Sequence, residues 1–431
     1  MEFLLQLLVT MTVLFLLARL GAKLVSHFGL PGLIGEIIIG VVIANIAIGD
    51  WSLMGFLGLE LPEPGEEIVE SSDIYPVVYA FSELGVIFLL FTVGLETKVS
   101  DLLGSGKTAL VAAILGVILP FVAGMAVVIA TGGDMNNALF LAAAMVATSV
   151  GITARIIKDM YLMDTREARI IIAAAVIDDV LGMIVLAIVK GIVDSGSVSI
   201  VGVASVTLQA VLFVFAVILA CKYVVPRIYD YFEDRKSKAK SSGKVPGSTN
   251  KLILAVIVCL AMAAFAEFIG LAAIIGAFLA GMLFAEHAWE WELEPKIESI
   301  TSFMISFFFI NVGLQVNISS LTDMSVVVIA VVVICLALVT KFIGCGYGAK
   351  LVDRNIDKSG VHIIGVGMMP RGEVGIIIAS IGLASTAMSE ELYAVVVLMS
   401  VATTIIAPPI LSKLFRKKYA EEYKILDEDL I

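Results

Sequence analysis

Charge is scarce in this chain. Asp, Glu, Lys and Arg make up 16% of its 431 residues, against about 25% in ordinary soluble domains. Histidine is scarcer still, at 3, and the 4 cysteines form no CxxC pair and have no histidine beside them. Each shortage excludes something. There is too little polar side chain to face water over the two or three soluble domains such a length would otherwise suggest. Cys221, Cys259, Cys335 and Cys345 lie in or at the edge of apolar runs, so packing is expected of them rather than disulfide or zinc chemistry. A net charge of −11 without a basic stripe argues against nucleic acid as a partner. No Walker motif is present, and no cofactor or enzymatic chemistry is expected. Nor is a nucleotide-driven domain expected after the last apolar run. His27, His287 and His362 all fall near expected cytosolic ends, so none is placed to relay protons within a membrane.

What is there is apolar: 60% of residues are hydrophobic, mean hydropathy is +1.05, and the runs are long. About 20 such residues span a bilayer. Thirteen candidate spans follow: 3–26, 31–49, 75–95, 107–131, 136–158, 166–191, 198–225, 250–269, 271–289, 299–316, 324–350, 361–385 and 389–413. The first runs on into Arg19, Lys23 and His27 with no small-residue cleavage site behind it, which reads as a retained helix rather than a signal peptide. With the N-terminus outside and the C-terminus in the cytoplasm, all of the 28 Lys and Arg except Lys190, Lys341 and Arg371 fall on the inner side, as the retention of basic loops requires. Loop 50–74 carries Asp50, Glu60, Glu63, Glu66, Glu67, Glu70 and Asp73 and no base, as an outer loop should.

A charged, Ser/Gly-rich stretch at 227–249 reads as a cytoplasmic linker. It divides the chain into a first six-helix repeat (1–196), a connecting helix (197–226), a second six-helix repeat (250–413) and a cytoplasmic tail (414–431). Six is even, so a single helix between the halves makes them enter from opposite sides, the layout of an inverted-repeat secondary transporter. The expected fold is therefore an all-α polytopic membrane protein of 13 transmembrane helices, two inverted six-helix repeats with crossed discontinuous helices.

A charge at mid-bilayer costs several kcal/mol and is kept for function or by pairing. Asp178 and Asp179 lie at the centre of the sixth span, about 18 Å of helix from either end. Being adjacent, they point about 100° apart, so one can be held by a fixed partner while the other faces a cavity. The plainer alternative is that both are structural. Lys341 lies too deep in its span to snorkel. It is satisfied either by carbonyls alone or by a carboxylate of the sixth helix, the deepest opposite charge available. The fifth span is interrupted by Thr148, Ser149, Gly151 and Thr153, the twelfth by Gly365, Gly367, Pro370 and Gly372. Each is the fifth helix of its half, and matched interruptions of this kind point to a transporter binding site. Arg371 and Glu373, in the second break, neutralise the half-helix dipoles or each other; a simple ion pair would serve as well. Glu36, Glu83, Glu96 and Glu267 also fall in or at the ends of spans. Glu36 and Glu96 lie near inner ends, within reach of water.

Along nearly its whole length the chain resembles the monovalent cation/proton antiporter superfamily, in the branch of bacterial sodium/proton antiporters with paired aspartates. The resemblance rests on LPGLIGEIIIGVVIAN, SELGVIFLLFTVGLE, MVATSVGITARI, AVIDDV, LAAIIGAFLAGMLFAE, SFFFINVGL, TKFIGCGYGAKL and PRGEVG, in that order. The Asp-Asp pair with a later lysine is its specific part. Related potassium efflux systems typically carry Gln-Asp there, and the electroneutral branch Asn-Asp without the lysine. The resemblance implies a homodimer in the cell membrane, in contact with lipid, that exchanges Na⁺ (or Li⁺ or K⁺) for protons. It implies a scaffold of helices 1–3 and 8–10, and a mobile core of helices 4–6 and 11–13. It makes Asp179 the carrier of cation and proton, pairs Asp178 with Lys341, and puts Thr148 and Ser149 at the crossing that faces the ion. Na⁺ would lie on Asp179 and Asp178. A sodium-coupled solute symporter or a channel remain as alternatives, the first needing a roomier cavity and the second a filter segment.

Overall fold

The computed structural model describes residues 3–28, 30–48, 51–61, 74–97, 99–195, 249–286, 288, 290–316 and 324–419, with short helical pieces between 204 and 219. It is a helical bundle. The helices, numbered in chain order, are α1 (Phe3–Ser26), α2 (Gly32–Asn45), a short α3 (Leu53–Leu57), α4 (Tyr75–Leu95), α5 (Val99–Ala130), α6 (Met135–Val146), α7 (Val150–Asp159) and α8 (Arg166–Ser195). After the gap follow α9 (Thr249–Phe268), α10 (Ala273–Phe284), α11 (Leu293–Leu314), α12 (Met324–Lys341), a π-helical stretch at Phe342–Tyr347, α13 (Gly348–Val352), α14 (Lys358–Gly367), α15 (Glu373–Ala384) and α16 (Glu390–Lys418). Among the described residues, nine helical stretches are long and apolar enough to span a membrane, and Gly32–Asn45, Ala273–Phe284 and Val374–Ala384 are shorter apolar helices. The expected seventh span and the linker lie largely outside the described residues.

Local chemistry explains the helix starts. Asp134 accepts from the amide of Asn137 at 2.7 Å, Asp357 from Gly360 at 3.0 Å and Ser389 from Leu392 at 3.3 Å, each N-cap satisfying an amide that the first turn leaves without a partner.

The bundle sorts into two bodies. α1, α2, α4, α9, α10 and α11 pack on one another, and α5 to α8 pack with α12 to α16. In the first body the helices cross at glycines. A Cβ on Gly40 would lie 2.2 Å from the carbonyl oxygen of Ile310, and one on Gly94 would lie 2.1 Å from that of Phe278. With no hydrophobic drive between helices in lipid, such close backbone approach supplies the packing. This grouping matches the helices expected for scaffold and core.

Three expectations need correction. The chain is not wholly helical, because Ala47–Ile48 pairs antiparallel with Trp51–Ser52 where the backbone turns after α2. Glu36 does not reach water: it is buried and accepts from the Ser306 hydroxyl at 2.8 Å, because α2 lies flush on α11 at Gly40. The tenth expected span, here α11, begins at Leu293, earlier than its apolar run at 299, because its polar first turn continues the helix.

Candidate ion-binding site

The expected breaks are real and they meet. α6 stops at Val146 and α7 starts after Ser149, with Ala147 extended between them; α14 stops at Gly367 and α15 starts at Glu373. The two unwound segments touch. The Ser149 amide donates to the Pro370 carbonyl at 2.8 Å, the Thr153 hydroxyl to that of Gly367 at 2.6 Å, and the Thr148 hydroxyl to that of Met368 at 3.5 Å. Unwound backbone at this depth is tolerated because protein satisfies it.

Beside the crossing runs α8. Asp178 is wholly buried, and its Oδ1 lies 2.7 Å from Nζ of an equally buried Lys341. Lys341 also donates to the carbonyls of Gly116 and Val146, each at 2.9 Å. Its three donors are therefore spent on one carboxylate and two carbonyls, so the carboxylate reading holds, with carbonyls beside it rather than alone. Asp179, one residue on, is 8% exposed, as the angular offset of neighbours in a helix requires.

Arg371 is wholly buried and lies against backbone carbonyls. Its guanidinium donates to the carbonyls of Val146 and Ala147, at 2.9 and 2.8 Å, and to that of Ala337 at 3.3 Å. The first two are carbonyls that the end of α6 leaves without helical partners. Arg371 and Lys341 together therefore place two positive charges on the negative end of that half-helix. The side chain of Glu373 lies outside the described residues. Ser149, the N-cap of α7, makes no capping bond through its hydroxyl, which is buried and has no hydrogen-bond partner among the described residues. This leaves one oxygen of Ser149 beside the crossing uncommitted. Among the described residues no group of three or more His, Cys, Asp or Glu is arranged to hold a resident metal.

A sequence profile described as "Sodium/hydrogen exchanger, transmembrane" matches residues 12–417. The chain is 32% identical over 401 residues to the Na(+)/H(+)-K(+) antiporter GerN of Bacillus cereus, covering 93% of this chain and 94% of that one. It is 31% identical over 437 residues to the high-affinity Na(+)/H(+) antiporter NhaS3 of Synechocystis, covering 96% and 91%. Among solved structures, that of the sodium proton antiporter MjNhaP1 from Methanocaldococcus jannaschii superposes with a TM-score of 0.66 over 98% of this chain and 97% of that one. At 14% identity it speaks for the fold alone. The chain belongs to the sodium/hydrogen exchanger family. It is a multi-pass membrane protein of a transporter family.

Other residues of this family member's site were not singled out from its sequence. The Thr403 hydroxyl accepts from the Arg371 amide at 3.1 Å, and the Thr404 hydroxyl donates to the Arg371 carbonyl at 2.5 Å, so α16 clamps the second break from outside. Pro120 lies inside α5 four residues after Gly116. Proline has no amide hydrogen to give to the carbonyl four residues back, so that oxygen is left for Lys341. Gly116 itself has no side chain to stand in the way; a Cβ there would lie 2.4 Å from Sγ of Cys345 and 3.5 Å from Nζ of Lys341. The signal was legible, since a proline within an apolar run marks a free carbonyl one turn earlier, but nothing said which cation would use it. Lys341 also ends α12 where the helix widens into its π-helical stretch, a local change common at functional sites.

Proposed function

We propose that this protein is a secondary sodium/proton antiporter in which the Asp179 carboxylate carries Na⁺ and protons in turn. The observation that carries this reading is the division of labour on α8. Asp178 is spent on Lys341, while its neighbour Asp179 retains a little exposure beside the crossed breaks. Hard oxygen ligands suit a small alkali cation. Asp179, the uncommitted hydroxyl of Ser149, that of Thr148 and the second oxygen of Asp178 supply them. One set of oxygens holds either a proton or Na⁺, and this mutual exclusion yields antiport without further machinery. Arg371 neutralises the end of α6 and stays out of the exchange.

The family assignment and the printed activities of the relatives favour Na⁺ and H⁺ as the exchanged pair. The name of the Bacillus cereus relative, which includes K⁺, makes potassium/proton exchange the second reading. On our reading the chain crosses the membrane thirteen times, N-terminus outside and C-terminus in the cytoplasm, as two inverted six-helix repeats. It works as a homodimer through an elevator-type movement of α5 to α8 and α12 to α16, serving sodium and pH homeostasis. Release of a proton from Lys341 when Na⁺ arrives would make the exchange electrogenic, two protons for one Na⁺.

The test is purified protein in liposomes carrying a preformed pH gradient, with Na⁺, Li⁺ or K⁺ added outside. Na⁺ is expected to dissipate the gradient, and Asp179→Asn to abolish the response while the protein stays folded. Exchange at the wild-type rate in that variant refutes the assigned carrier.

A further inference from the structure

The two helix bodies meet over a narrow front, chiefly α4 against α7 and α2 against α16. Gly151 at the start of α7 fits against Val86, Leu89 and Leu90 of α4, so this part of the front is apolar and smooth. The far end of α7 is different. It brings Arg155, Lys158 and Asp159 from the core, where the scaffold supplies Glu96, just past α4, and Glu294 and Glu298 on the opening turns of α11. Lys158 Nζ lies 2.6 Å from Glu96 Oε1, 3.1 Å from Glu298 Oε2 and 3.6 Å from Glu294 Oε1. Arg155 pairs with Asp159 within its own helix at 2.9 Å and reaches Glu298 only at 4.0 Å. The scaffold side is braced. The Ser302 hydroxyl donates to Glu298 at 3.3 Å, and the Arg19 guanidinium of α1 donates to the Ser302 carbonyl at 2.6 Å.

An isolated surface pair is worth little. This is a network of one largely buried ammonium, 9% exposed, and three carboxylates carried by two helices of the opposite body. The ion site uses none of these groups. We propose that Lys158 is the bolt of an electrostatic latch: it holds core to scaffold in the position seen here and must leave Glu96, Glu294 and Glu298 whenever the core moves. The proposal rests on the moving-core reading above and deepens it by naming the contact that the movement breaks. The charge pattern makes the latch all-or-none. With Lys158 seated, Glu96, Glu294 and Glu298 share its one cation; with it withdrawn, these three acids lose it, repel one another and take up water. Sliding a smooth apolar face past α4 makes and breaks similar contacts, so the charged end is where the two positions differ most.

The decisive experiment joins the latch covalently. Cysteines replace Glu96 and Lys158 together, and a short bis-thiosulfonate reagent links them in proteoliposomes. Exchange is expected to fall at least tenfold on linking and to return on reduction, while the single variants Glu96→Cys and Lys158→Cys do not respond to the reagent. Undiminished exchange with linking complete overturns the proposal. A second measurement needs no transport. Backbone amide exchange over 92–97 and 154–160 is expected to rise in Lys158→Gln. It should return toward wild type when Lys158→Glu is combined with Glu96→Lys. Unchanged protection in Lys158→Gln overturns the latch whatever ion is carried. A wild-type protein that exchanges no cation counts against the transport reading, and the amide measurement then decides the latch by itself.

Discussion

Removing the charge of Asp178 while keeping its volume isolates the most heavily buried ion pair in the site. Lys341 and Asp178 are both wholly buried and 2.7 Å apart. At an effective dielectric near 20 two unit charges at that distance attract by about 6 kcal/mol. Most of this offsets the desolvation of the two ions, so the pair itself adds little to stability. What the variant exposes is the unpaired remainder. Asp178→Asn leaves an ammonium with only the carbonyls of Gly116 and Val146, and breaking one side of a buried pair costs about 3–5 kcal/mol. Unfolding entropy runs at about 2.1 cal/mol/K per residue. Over 431 residues, 1 kcal/mol therefore moves the midpoint by about 1 °C, and the variant should melt about 3–5 °C below wild type in detergent. Adding Lys341→Met removes both charges, and the double variant should recover at least half of the loss, because no ion is left stranded. A single variant melting within about 1 °C of wild type, or a double variant as low as the sum of the two singles, refutes the reasoning.

If the proton of Lys341 belongs to the cycle, a folded Lys341→Gln protein keeps some Na⁺/H⁺ exchange but loses its dependence on imposed membrane potential; retained voltage dependence in liposomes reduces the lysine to scaffolding. Asp357, outside the spans, is held below the ordinary carboxylate range, first by Lys418 at 2.5 Å and also by the Gly360 amide. A depressed carboxyl contributes stability above its unfolded value and loses it as pH falls through its folded one. Asp357→Asn should therefore lower the melting point at neutral pH, with the difference closing as pH drops below about 4; a constant gap across that range disproves the linkage. Gly94→Leu should prevent folding, seen as loss of the monodisperse peak on size exclusion, because even its Cβ would lie 2.1 Å from the Phe278 carbonyl. Pro120→Ala returns an amide to compete for the Gly116 carbonyl and should lower the exchange rate several-fold while leaving expression intact; wild-type exchange would show that Lys341 needs only Asp178 and Val146.

The membrane character, the approximate helix positions and the two breaks follow from the sequence alone, because burial in lipid constrains composition residue by residue and every exception stands out. Asp178, Asp179 and Lys341 were legible for that reason: few deep charges exist, so the pairing of opposites has few solutions. Composition and spacing left open which aspartate the lysine takes, and only the resemblance assigned Asp178; in the structure the rotation of α8 buries Asp178 against Lys341 and leaves Asp179 8% exposed. Arg371 illustrates the same limit. The sequence left open whether it neutralises a half-helix dipole or pairs with Glu373; the guanidinium lies on carbonyls of Val146 and Ala147, more than 200 positions away. Carbonyl acceptors leave no mark in a sequence, since every residue has one, and only helix ends and prolines betray the free ones. The Lys158 cluster was hidden for a related reason. Its charges sit at helix ends where charges are ordinary, and only the packing of α7 against α4 and α11 brings one cation onto three acids. Composition and periodicity decide what each helix is; the contacts between helices decide which of its polar groups are paired and how deeply each is buried.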